Sequence, residues 1–67
     1  MSDARPVDPT RCRYIAKPGG WFDGGTEVTL IADLEGFGAL MAGLRGGKPD
    51  EETCPWDEFE VREPENG

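Results

Sequence analysis

Polar and apolar residues alternate along residues 11–17. Cys12, Tyr14 and Ala16 fall on one side, and Arg11, Arg13, Ile15 and Lys17 on the other. A period of two marks a strand, because successive side chains leave opposite faces of a sheet. Pro18, Gly19 and Gly20 stop the run. Trp21 and Phe22 follow, then Asp23, Gly24 and Gly25. An aromatic pair between two glycine pairs predicts a long loop that bends twice and is anchored by burial. Residues 26–32 give the clearest strand, rich in β-branched side chains, with Val28, Leu30 and Ala32 on one face. Ile15 and Ile31 fall on the outer face. Residues 33–36 read as a turn.

Residues 37–45 fit two patterns. Phe37, Leu40, Met41 and Leu44 have helical spacing. Gly36, Gly38 and Gly43 lie in or beside the same window, and each interior glycine costs a helix about 1 kcal/mol relative to alanine. A nine-residue helix absorbs that poorly, so the reading adopted is a strand with Leu40, Ala42 and Leu44 inward. Residues 46–50 read as a loop and 51–54 as a short strand. Pro55 presets a φ angle, and Trp56 and Phe59 stand three apart, which predicts a single 3₁₀-like turn. A last short strand, 59–62, turns Phe59 and Val61 inward.

These elements predict one small all-β domain over residues 11–62, between a flexible tail at 1–10 and a flexible acidic tail at 63–67. The expected core draws on Tyr14, Ile15, Trp21, Phe22, Val28, Leu30, Ile31, Leu34, Phe37, Leu40, Met41, Leu44, Trp56, Phe59 and Val61. A chain of 67 residues buries only about 60% of its unfolded surface, so such a core is marginal.

Gly25, Val28, Leu30 and Ile31, followed by Gly36 and Gly38, are similar to the G-x-x-V-x-V-I … G strand-turn-strand segment of the SH3-like small barrels, including their KOW-type members. The order of elements resembles that superfold as well: four or five short strands, a long first loop, a tight middle hairpin and a 3₁₀ turn before the last strand. The resemblance implies a twisted antiparallel barrel in which 59–62 closes the sheet. It also implies that the first long loop and the 3₁₀ turn lie on the same side. The Ala-Leu-Tyr-Asp-Tyr strand of peptide-binding SH3 domains is absent.

Charge changes the picture of what such a domain does. Residues 1–49 carry six acidic and six basic side chains. Residues 50–67 carry Asp50, Glu51, Glu52, Asp57, Glu58, Glu60, Glu63 and Glu65 against Arg62 alone, and this end supplies the whole net charge of -7. An anionic end argues against direct nucleic-acid binding, which needs cations for the phosphates, and for a partner with a basic surface. Residues 1–10 have no apolar stretch and no run approaches the roughly 18 apolar residues of a membrane span, so no membrane partner is expected and the cytoplasm is the default compartment. Cys12 and Cys54 are too few and too far apart for a disulfide scaffold, and two reduced thiols are expected.

The chain has no histidine. That removes Ser/His/Asp and Cys/His nucleophilic machinery and the commonest zinc ligand. There is no C-x-x-C, no EF-hand spacing and no P-loop, since Pro49 stands where Gly46-Gly47-Lys48 would need Ser or Thr next. No enzyme, metal or cofactor is expected. The candidate surface is instead formed by Trp21 and Asp23 in the first long loop, Glu51 and Glu52, and Trp56, Asp57 and Glu58 around the 3₁₀ turn. Aromatic rings framed by carboxylates suit a peptide carrying Arg, Lys or Pro. The expectation is a small acidic interaction module, monomeric or weakly self-associating, that binds a cationic protein or peptide. The alternatives are a nucleic-acid mimic that blocks a cationic groove and an accessory subunit kept soluble by its acidic end.

Overall fold

The computed structural model describes residues 5–64 of the 67-residue chain. Five strands form one antiparallel sheet: β1 (Arg13–Ala16), β2 (Glu27–Asp33), β3 (Ala39–Arg45), β4 (Lys48–Cys54) and β5 (Phe59–Arg62), in the order β4-β3-β2-β1-β5. Three short 3₁₀ turns punctuate them at Pro9–Arg11, Glu35–Phe37 and Trp56–Glu58. The last of these is the turn that the Pro55, Trp56 and Phe59 spacing predicts.

The sheet is open. β4 and β5 are its two edges and do not pair with each other, so the expected closure into an SH3-like barrel is not made. The sheet passes from one half to the other through β2. Its first residues pair with β1 (Tyr14↔Val28, Ile15↔Glu27), and the rest pair with β3 from Thr29 to Asp33, with a register shift between Leu30 and Ala32. One strand thus serves both halves of the sheet. The bulge adds twist at the handover, and the sheet curves around a single core without joining its edges.

That core holds Tyr14, Ala16, Phe22, Val28, Ala39, Met41, Cys54, Trp56 and Phe59. Every strand contributes, and Phe22 is delivered by the long loop. Tyr14 and Trp56 rings lie 5.8 Å apart and Tyr14 and Phe59 meet edge-on at 6.5 Å, geometries that suit the ring quadrupoles. Burial raises the Tyr14 phenol to about 12, with the nearby Cys12 adding to the shift.

Four expectations about packing are corrected. On β3 the inward residues are Ala39 and Met41, not Leu40, Ala42 and Leu44. The alternation continues to Gly43, where a Cβ would strike Val28 and Phe22. Phe37 is 84% exposed rather than core. It ends the second 3₁₀ turn, and Gly38, at φ 101°, turns the chain so closely against Cys54 and Pro55 that no side chain fits there. Ile31, Leu34 and Leu44 are exposed as well. Finally, β4 begins at Lys48: residues 46–50 are not a loop but the tip and first residues of a β3–β4 hairpin.

The tail expected at 1–10 is described from residue 5 onward, where Arg5, Pro6 and Pro9 anchor it while Val7, Asp8 and Thr10 are exposed. Pro6 and Pro9 are buried. The Tyr14 hydroxyl donates to the Pro9 carbonyl at 2.6 Å, and Arg5 Nε donates to Asp33 Oδ2 at 3.0 Å. Residues 1–4 lie outside the described residues. Of the tail expected at 63–67, Glu63 and Pro64 are exposed, and 65–67, with Glu65, lie outside. Both cysteines are free: Cys54 is buried and Cys12 half-buried.

Candidate functional site

The long loop between β1 and β2 is shaped by its anchors. Phe22 enters the core, and Trp21 packs partly against it. The Trp21 main-chain N–H donates to Glu58 Oε1 at 3.2 Å, and its indole Nε1–H donates to Asp50 Oδ2 at 2.9 Å. Glu58 lies so close over Gly20 that a Cβ there would meet its carboxylate. The Arg45 guanidinium, from the end of β3, sits 3.8 Å from the centroid of the Trp21 ring. One half-buried indole therefore has a cation over its ring and a carboxylate at its N–H, with a second carboxylate at its main chain.

Asp23 does a different job. Its two carboxylate oxygens accept the N–H groups of Gly46 and Gly47, each at 2.8 Å, and its own N–H donates to the Leu44 carbonyl at 2.8 Å. Both glycines have positive φ, 62° and 78°, as a two-residue hairpin turn that matches strand twist requires. The two donated hydrogen bonds hold the Asp23 carboxyl below the usual carboxylate range. Asp23 thus ties the long loop to the hairpin tip, which sets Trp21 beside Arg45 and Asp50.

The other expected site residues divide. Glu51 and Glu52 are neighbours on β4 and point to opposite faces: Glu51 is exposed, while Glu52 is half-buried on the face that also carries Asp50 and Cys54. Glu58 is half-buried at the loop, and Asp57 is exposed on the same 3₁₀ turn. Trp56 is 6% exposed and belongs to the core, so it does not offer a ring to a partner. Its Nε1–H has no hydrogen-bond partner among the described residues. The turn that carries it points the ring inward onto Tyr14, while Asp57 takes the solvent side. The Cys54 thiol is pushed up to about 11, first by burial and then by the Glu58 carboxylate.

Two residues of the site are absent from the expected set, Arg45 and Asp50. The signal for them is the Gly46-Gly47 pair. Read as a two-residue hairpin turn, it pairs Arg45 with Lys48 and Gly43 with Asp50, and brings both side chains to the strand next to the loop. Among the described residues no group of three His, Cys, Asp or Glu side chains is placed to hold a metal ion, and no helix is long and apolar enough to cross a membrane.

The fold and site together define a small all-β domain with an open five-stranded sheet, in which the Trp21 indole lies among Arg45, Asp50 and Glu58. Comparison with protein-family models, with curated proteins and with solved structures finds no match.

Proposed function

We propose that this chain is a small, non-enzymatic interaction module that captures a basic segment of another protein at the Trp21 face. The observation that carries the reading is the Arg45 guanidinium 3.8 Å over the Trp21 ring, with Asp50 holding the indole N–H from the side. The ring already accepts a guanidinium, and carboxylates already frame it. An exposed cation–π contact contributes only about 0.5–1 kcal/mol, so an arginine or lysine from a partner displaces Arg45 at small cost. The net charge of -7 raises the local concentration of a cationic partner and speeds encounter.

The test is a titration with short arginine-containing and glutamate-containing peptides, followed by the Trp21 indole N–H signal in two-dimensional NMR at low and raised salt. The basic peptide moves that signal, and raised salt weakens the effect. Arg45→Ala, which vacates the ring face, tightens binding. If the basic peptide leaves the indole signal in place at low salt, the reading is wrong.

A further inference from the structure

We infer that the basic segment binds as an extended strand added to the outer edge of β4, with cationic side chains at alternate positions facing Asp50 and Glu52. The inference rests on the proposed interaction role and specifies the shape of its partner.

The edge follows from the hairpin. β3 and β4 pair residue for residue from Ala39↔Cys54 to Arg45↔Lys48, and the two-residue turn makes Arg45 and Lys48 a hydrogen-bonded pair. In an antiparallel pair hydrogen-bonded and non-hydrogen-bonded positions alternate. Lys48, Asp50, Glu52 and Cys54 therefore turn their main-chain groups toward β3, and Pro49, Glu51 and Thr53 turn theirs outward. Two independent observations fix this phase. The Leu44 carbonyl, opposite Pro49, accepts from Asp23 rather than from β4. Proline, which has no N–H, stands at an outward position, where no ladder bond is lost.

No strand among the described residues pairs with this edge, and Glu51 and Thr53 are exposed. Two N–H groups, Glu51 and Thr53, and the carbonyls of Pro49, Glu51 and Thr53 are thus presented in one row. An unpaired edge of this kind is a template for strand addition. Its chemistry selects the strand. Asp50 and Glu52 share one face and Glu51 takes the other, so a second copy of this edge is repelled. A strand with Lys or Arg at positions i and i+2 places both cations beside Asp50 and Glu52, where opposite charges across a sheet attract. The same face leads to Trp21 through the Asp50–indole hydrogen bond. A shallow depression of about 470 Å³ lies along this edge, lined by Ala42, Gly43, Pro49, Asp50 and Glu51.

Three hexapeptides test this: alternating Lys-Thr; the same peptide with each threonine N-methylated; and Lys-Lys-Lys-Thr-Thr-Thr. Binding is read from ¹⁵N-labelled protein by amide shifts and by hydrogen exchange at Glu51 and Thr53. The alternating peptide binds and slows exchange at both amides about tenfold or more, a change of roughly 1.4 kcal/mol. N-methylation, which removes the main-chain donors without touching charge or protein, weakens binding by a similar factor. Thr53→Pro, which deletes one outward N–H at a position of the same kind as Pro49, weakens the alternating peptide and leaves the melting temperature nearly unchanged. If all three peptides bind alike and move the Trp21 indole while exchange at Glu51 and Thr53 is unaltered, strand addition is wrong and the basic-ligand reading stands. If none of them binds at low salt, both fail.

Discussion

Asp23 holds two main-chain hydrogen bonds at the hairpin tip, and its carboxyl is lowered by them. Its folded-state value lies below the unfolded value of about 3.9. The stability it adds is therefore full above that pH and is lost as pH falls through the folded value. In an acid titration the Gly46 and Gly47 amide signals should hold steady down to about pH 4 and move below it. In Asp23→Asn that acid-induced movement should vanish, because the amide oxygen accepts at every pH. At Trp56 the expected outcome concerns stability: Trp56→Ala should cost about 3–5 kcal/mol by melting or denaturant. Trp56→Phe should cost less, since it keeps most of the ring volume and removes an N–H that has no partner among the described residues. The two thiols should differ as well. Cys54, buried and raised to about 11, should resist alkylation at pH 8 while half-buried Cys12 reacts first; mass analysis with and without denaturant reads this directly. Residue by residue, the sequence was legible where a side chain had one use. Phe22, Val28 and Phe59 are core as expected. Trp56 was legible as core but also drew a surface reading, because Pro55, Asp57 and Glu58 give it a polar neighbourhood along the chain; the direction of the 3₁₀ turn sends the ring inward.

Strand β3 shows what decides an element. Its existence could be read from glycines that a short helix tolerates poorly, but its facing could not. Shifting a strand by one residue exchanges its two faces, and here Leu40, Ala42 and Leu44 make as plausible an apolar row as Ala39, Met41 and Gly43. The inward row wins because Val28 and Phe22 already occupy the space above Gly43. That contact is long-range and leaves no mark in the local pattern. Gly43→Val should therefore destabilise by about 1–3 kcal/mol, the cost of overpacking, whereas a valine at outward-facing Ala42 should change the melting temperature little. The β3–β4 hairpin was only half legible. Gly46-Gly47 reads as a turn in any case, but the polar run from Lys48 to Thr53 has none of the alternation that betrays a strand. It is a strand because its main chain pairs with β3 on one side, while its side chains serve the solvent and the indole on the other.

At the scale of the molecule, charge and fold are laid out together. The anionic residues 50–52 lie in edge strand β4 and 57–58 in the 3₁₀ turn that follows it, while Glu60 lies on β5 at the opposite edge of the sheet. Glu51→Lys combined with Glu52→Lys should slow association with a basic peptide and flatten its salt dependence, with the circular dichroism spectrum unchanged; rim charges govern encounter more than dissociation. The all-β class and the antiparallel arrangement were legible from alternation and turn residues, while the count stood at four or five because β4 shows no alternation. The open edges were not, since closure depends on how far the sheet curls, which no local pattern records. Strand β2, which pairs with β1 through its first residues and with β3 through the rest, has a consequence for how the domain comes apart. Neither β1–β5 nor β3–β4 retains a partner strand once β2 is lost, and the one core is lined from both sides. The domain should behave as a single foldon. Amide exchange at Tyr14, Val28 and Met41 should converge on one opening free energy and respond together to denaturant, with no partly unfolded form in which either strand pair survives alone.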